Sequence, residues 1–276
     1  MEGSNLSKQV LLINDMAGYG KVALSAMIPV LSHMGVTIHN LPTALVSNTL
    51  DYGKFDILDT TQYMENAMGV WRELGFSFDA VSTGFIVNEK QADLVAQFCK
   101  EQSEKGVCIF CDPIMGDDGH LYPGMGEETV DNLRRLISCS DYAVPNYTEA
   151  ALLTKEEYKE NPSMEEVKAV IDKLRRLGAK SVVITSVKID GQDKIACYDH
   201  TTDSYFQIAY DLIPVRFPGT GDIFLSVMMG GLLNGKTLEE SVKKASDSVR
   251  SMIEKNLENE DKFKGIEIES CLEAMD

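Results

Sequence analysis

Short apolar, β-rich runs alternate with amphipathic helical patterns along almost the whole chain, and few architectures accept that order. Val10 to Ile13, Val36 to Leu41, Ala80 to Thr83, Val107 to Cys111, Tyr142 to Val144 and Ser181 to Thr185 read as buried strands. Between them Val22 to Met34, Thr60 to Leu74, Glu89 to Glu104, Gly126 to Ser138 and Ser163 to Leu177 read as helices with one apolar face. Apolar strands separated by such helices predict an α/β fold, a mostly parallel central sheet with helices on both faces. Lys194 to Tyr198 and Ser204 to Ile208 read as a hairpin added late to that sheet. Asn234-Gly235 ends a nearly all-apolar helix, Ile223 to Leu233, and Thr237 with Glu240 forms a capping-box pattern that opens the next one.

No Pro/Ser-rich linker or shift in composition divides the 276 residues, so one domain spanning residues 1–276 is expected. Net charge is −17, with 26 Lys and Arg against 43 Asp and Glu, which argues against a nucleic-acid partner and against docking on an anionic membrane. Met1 to Lys8 is polar, without the apolar run of a signal peptide, and no apolar stretch reaches the ~18 residues of a membrane span. A cytoplasmic protein is expected. Its six cysteines should then be free thiols. Cys108 and Cys111 match C-x-x-C, but three residues apart on a strand they face opposite sides and read as core. The acidic tail, Glu258 to Asp276, reads as a solvated surface.

In an open α/β sheet, ligands bind at the carboxyl ends of the strands, so function is sought in the loops that follow them. Phe217-Pro-Gly-Thr-Gly-Asp-Ile223 is a glycine-rich turn ending in a carboxylate where an apolar helix begins. The glycines leave backbone N–H groups uncovered at a helix N-terminus, a setting that favours anions. Asp222 then fits a base that accepts a proton from an incoming hydroxyl, although by itself the motif fits a helix cap equally well. The first loop contains G-x-G-x-x-A at Gly18, Gly20 and Ala23, a dinucleotide-binding pattern. Against that reading, the loop is long and the second strand ends in Asn40-Leu-Pro-Thr43 with no acid for a ribose. Asp112-Pro-Ile-Met-Gly-Asp117 and Asn146-Tyr-Thr-Glu149 add carboxylates at two further strand ends, a set that suits Mg²⁺. Turn chemistry for the first pair and a capping box for the second are the plainer alternatives. Together the parts suit phosphoryl transfer, and the P-loop and protein-kinase signatures are missing from the sequence.

On these residues the chain resembles the ribokinase superfamily and, within it, the vitamin-kinase branch typified by pyridoxal kinase. Gly219-Thr-Gly-Asp222 matches the family's G-x-G-D, Asp112 to Asp117 its D-P-V-M-G-D, and Asn146 to Glu149 its N-x-x-E, in order between about Val10 and Ile253. The resemblance implies a three-layer ribokinase-like fold and transfer of the γ-phosphoryl of ATP to the 5′-hydroxymethyl of pyridoxal, pyridoxine or pyridoxamine. It implies Asp222 as base and the amides of Gly219, Thr220 and Gly221 as anion hole. It further implies ATP contacts from Asn146, Thr185, Ser186 and Thr220, and Mg²⁺ near Asp117 and Glu149. Asp112 takes a structural or monovalent-cation (K⁺) role. Gly18-Tyr-Gly20, Thr43 and Ser47 to Lys54 are similar to the family's ring-binding loop and flap, with residues 47–56 covering the substrate. By the same likeness Asp15, Gly18, Tyr19, Thr43 and Phe85 surround the ring, Phe85 standing where the family has a tyrosine. Asp15 and Thr49 replace a common serine and histidine. A homodimer is the family expectation. A hydroxymethylpyrimidine or sugar kinase of the same fold, a non-catalytic binding protein and a dinucleotide oxidoreductase stay open as alternatives.

Overall fold

The computed structural model describes residues 7–276. They form two compact units, one built from the chain up to Val81 together with Val215–Asp276, the other from Ser82–Pro214. Of the polar segment Met1 to Lys8, residues 1–6 lie outside the described residues.

The first unit opens with β1 (Gln9–Ala17), α1 (Ala23–His33), β2 (Thr37–Val46), β3 (Ile57–Asp59) and α2 (Thr61–Leu74), and β4 (Ala80–Thr83) runs across its boundary. β1 pairs in parallel with β2, and β2 pairs antiparallel with β3. Leu11, Leu12 and Ile13 of β1 are fully buried, as the unbroken apolar run requires. The strand does not stop at Ile13: Asn14 pairs on with Pro42 and, after a register shift, Met16 and Ala17 pair with Leu45 and Val46.

The second unit contains α3 (Glu89–Ser103), β5 (Cys108–Cys111), a two-residue-strand hairpin of β6 (Gly116–Asp117) and β7 (His120–Leu121), α4 (Glu127–Ile137), β8 (Tyr142–Ala143), α5 (Tyr147–Thr154), α6 (Met164–Leu177), β9 (Ser181–Ile189), β10 (Gln192–Asp199) and β11 (Ser204–Ala209). β5, β8 and β9 are parallel neighbours, and β9, β10 and β11 continue antiparallel, so the late hairpin lies where the pattern put it. Phe110 of β5 stacks on Tyr142 of β8 with ring centroids 4.9 Å apart. Cys111 is buried and Cys108 half-buried. Burial pushes the Cys108 thiol up to about 12 and Cys111 upward as well, so both are inert packing groups. All six cysteines are free.

The chain returns to the first unit as α7 (Thr220–Leu233) and α8 (Leu238–Lys255). Thr237 caps α8 in a complete capping box with Glu240. α7 is buried from Asp222 to Gly230 and packs on α1 and α8. Each such buried apolar side chain contributes about 1.5–3 kcal/mol, whereas an exposed ion pair such as Lys243–Asp247 contributes about 0.3–0.5, so the core holds the unit together. The tail after α8 is not a plain solvated surface. Its charges lie outward, but Ile266, Ile268, Cys271 and Met275 are buried. Among the described residues no helix is long and apolar enough to cross a membrane.

Candidate active site

The candidate residues fall into two clusters, one in each unit. In the first unit α7 begins at Thr220, three residues before the apolar run, and its N-cap is Gly219 in the left-handed region (φ +85°). A side chain there is barred twice, by that φ and by the carbonyl of Lys21, which a Cβ would approach to 2.2 Å. Asp222, in the first turn, therefore does not cap the helix. Its Oδ2 accepts the Ala23 N–H at 2.8 Å and its Oδ1 accepts the Asn14 side-chain amide at 3.3 Å. Burial raises its pKa to about 6, and the two hydrogen bonds limit the rise. The N–H groups of Thr220, Gly221 and Asp222 head α7 without intrahelical acceptors, because the first N–H to pair is that of Ile223, with the Gly219 carbonyl at 3.0 Å. A fixed, buried carboxylate whose pKa is raised to about 6 beside helix-start donors can take a proton while an anion is held next to it.

Asp15 stands half-buried at the end of β1, its N–H bonded to Asn14 Oδ1 at 3.0 Å. Burial first, then the charge of Asp222, lifts its pKa to about 7. The structure thus brings Asn14, Asp15 and Asp222 together. The one sign of Asn14 in the sequence is that it is a polar residue ending an apolar strand at the ligand edge. Ala23 gave none, because only its backbone acts. It sits at φ +48°, unusual for a non-glycine residue, where its N–H meets the carboxylate. The dinucleotide reading fails on hydrogen bonding. Gly18 N–H bonds Val46 O, Tyr19 N–H bonds Ser47 O, Lys21 N–H bonds Lys264 O and Ala23 N–H bonds Asp222, so these amides cannot cradle a pyrophosphate. Gly18 and Tyr19 are exposed, and Thr43 is buried in β2. The segment from Ser47 to Asp56 is a loop closed by hydrogen bonds. Its ends are joined by Ser47 N–H to Asp56 O at 2.9 Å, and the Asn48 side chain spans it to Lys54 O at 2.9 Å.

In the second unit Asn146 and Glu149 form the capping box of α5. Glu149 Oε2 accepts the Asn146 N–H at 2.8 Å and Asn146 Oδ1 accepts the Glu149 N–H at 2.9 Å. The box also binds the acidic turn, because Glu149 Oε1 accepts the Met115 N–H at 3.1 Å and the Asn146 amide donates to Gly116 O at 2.8 Å. Asp117 Oδ1 accepts the following N–H, of Asp118, at 3.0 Å. Capping and turn chemistry are both present, but they do not account for the charge. Burial first, and then Asp112, hold Glu149 well above the usual carboxylate range. A buried acid raised further by a neighbouring carboxylate is where a hard cation would relieve repulsion, so the residues fit Mg²⁺. Among the described residues no three His, Cys, Asp or Glu side chains form a ready metal cage, so most of the ion's shell would come from water and phosphate. Thr185 bridges to Asn146, and next to it Ser186 is exposed at φ +55°, where β9 and β10 slip register between Lys194 and Ala196. Such irregularities re-aim side chains beside ligands. Phe85 follows β4 and is half-buried.

Residues 20–267 match the model of the phosphomethylpyrimidine kinase family. The chain is similar to the pyridoxal kinase PdxY of Rubrobacter xylanophilus, 25% identical over 90% of this chain and 87% of that protein. Among solved structures, a Bacteroides thetaiotaomicron protein crystallised with pyridoxal is 33% identical, with TM-score 0.93 over 98% of this chain and 96% of that one. The pyridoxal kinase of Leishmania donovani in complex with ADP and pyridoxamine is 25% identical, with TM-score 0.84 over 98% and 96%. The architecture is therefore ribokinase-like, a mostly parallel sheet with helices on both faces. Within that class the chain belongs to the phosphomethylpyrimidine kinase family.

Proposed function

We propose that the protein is a B6-vitamer kinase that transfers the γ-phosphoryl of ATP to the 5′-hydroxymethyl of pyridoxal, pyridoxine or pyridoxamine. The observation that carries this reading is Asp222: buried, held by Ala23 and Asn14 at the head of α7, its pKa raised to about 6 by burial. The substrate oxygen forms the new bond to the γ-phosphorus, the bond from that phosphorus to the β,γ-bridging oxygen breaks, and ADP leaves. The hydroxyl proton passes to the Asp222 carboxylate. The amides of Gly219, Thr220 and Gly221 stabilise the charge on the group in transit. Asp15, Gly18, Tyr19, Thr43 and Phe85 bind the ring, the loop at 47–56 keeps water out, and Asn146, Thr185, Ser186 and Thr220 bind ATP. Asp117 and Glu149 would hold Mg²⁺, with Asp112 close by in a structural or K⁺-binding part. The ion supplies neutralisation of phosphate charge. Both units form one kinase domain. It works in the cytoplasm, where free thiols persist. A homodimer is supported by exposed apolar side chains in the first unit. Leu45 and Leu58 face each other across β2 and β3, and α2 exposes Tyr63, Val70 and Leu74.

The pyridoxal-bound and pyridoxamine-bound neighbours favour a B6 vitamer, and the phosphomethylpyrimidine kinase family model supports a pyrimidine substrate, hydroxymethylpyrimidine, as the second reading. ATP-coupled turnover with the three vitamers and hydroxymethylpyrimidine in parallel, with Asp222→Asn as control, decides between them. Turnover on hydroxymethylpyrimidine alone would overturn the ring assignment, and turnover on none would overturn the kinase.

A further inference from the structure

The acidic tail enters the candidate site of its own unit through its backbone. After α8 the buried Asn256 folds the chain back, its Oδ1 accepting the Glu267 N–H at 3.0 Å and its amide donating to Met252 O at 2.8 Å. The stretch Asp261 to Gly265 then meets three pieces of the first unit. It meets the strand-end loop, where Lys264 O accepts the Lys21 N–H at 2.8 Å and Glu269 pairs with the Lys21 ammonium. It meets the flap, where Phe263 O accepts the Thr49 hydroxyl at 2.6 Å, and the Tyr52 hydroxyl donates to Asp261 Oδ2 at 2.5 Å. The Tyr52 ring also stands edge-on to Phe263, centroids 5.6 Å apart. It meets the catalytic turn, because Gly265 (φ +84°) lies so close that a Cβ would come within 2.8 Å of Lys21 O and 3.2 Å of Pro218 O. Lys21 O is thus the point on which both Gly219 and Gly265 close. A second tie, Arg216 to Asp51 at 3.3 Å, joins the flap to the approach of the same turn.

We propose that Asp261–Gly265 is a latch that positions the flap at residues 47–56 and the Gly18–Lys21 loop against the catalytic turn, so that the tail sets affinity for the phosphoryl acceptor. Tyr52, Thr49 and Asp261 are positioning residues on this account. The inference rests on reading residues 47–56 as the substrate-covering loop. Asp261→Asn and Tyr52→Phe each weaken one tie at the exposed end of the latch. Gly265→Ala strikes its buried end and can impair folding, so the two mild variants keep the test decisive. Amide hydrogen exchange of the full chain is the first readout, and protection across residues 47–54 should fall about fivefold or more in both mild variants with melting temperature held. Steady-state kinetics is the second. KM for the vitamer should rise by about the same factor while KM for ATP stays put, and ATP hydrolysis without acceptor should increase. Unchanged flap protection, or reduced protection with an unchanged vitamer KM, overturns the latch. A wild-type protein that phosphorylates no vitamer overturns the proposed function instead, and the exchange result still decides whether the latch exists.

Discussion

The proposed chemistry rests on a single carboxylate, Asp222. Asp222→Asn keeps an acceptor for the Ala23 N–H and should fold, yet it cannot take a proton, so kcat should fall by ~10²–10⁴-fold with a near-normal melting temperature. The same group sets the pH response. With its pKa raised from 3.8 to about 6, the base loses its charge as pH drops, and kcat/KM should decline below about pH 6. Stability moves the other way. Asp15 and Asp222 have folded-state pKa values of about 7 and 6 against 3.8, so between about pH 4 and 7 the folded protein holds more protons than the unfolded chain. The excess makes ΔG of unfolding fall as pH rises through that window. Denaturant titrations across the window should show the decline, and Asp15→Asn should flatten it. Asp222 was legible as a base candidate, but its competitor, the helix cap, was excluded only by Gly219 occupying the N-cap. The donors that aim it come from 199 and 208 residues away, a relation no local spacing encodes.

At the level of elements, long apolar runs are legible in the sequence and polar strand ends are not. The strand read as Val10 to Ile13 extends to Ala17, because Asn14 and Asp15 interrupt the apolar run yet find partners in the fold. The hairpin of β6 and β7 left no trace, since two-residue strands have no periodicity, and β3 is wholly exposed. The start of α7 divides two glycines by role. Gly219→Ala should destabilise by about 1–3 kcal/mol, because a left-handed φ and the Lys21 carbonyl both oppose a side chain. Gly221 has open space around a built Cβ and an ordinary helical place, so Gly221→Ala should raise stability by up to about 1 kcal/mol. If its amide is part of the anion hole, the same variant should lower kcat, and the pair of opposite signs, read by thermal melting and turnover, tests that role.

At the scale of the molecule, the exposed apolar side chains of the first unit are where the proposed homodimer is tested. Leu58 and Leu74 are 60% and 62% exposed, and β3 is a short edge strand with nothing polar at Ile57 and Leu58. If these side chains form the proposed dimer interface, Leu58→Glu should sediment as a monomer with an intact fold beside a dimeric parent, and an unchanged oligomeric state would remove them from the interface. Alternation of apolar runs and amphipathic helices determined the α/β class, the mostly parallel pairing and the late hairpin by itself, because burial on both faces leaves its mark on each long buried strand. The G-x-G-D turn likewise places the proposed base and anion hole in four adjacent residues. The division into two units, the aim of Asp222 by Asn14 and Ala23, and the return of the tail to Lys21, Thr49 and Tyr52 were decided only by the tertiary structure. Each depends on backbone groups and on partners far apart in the chain, and a backbone carbonyl has no letter of its own in the sequence.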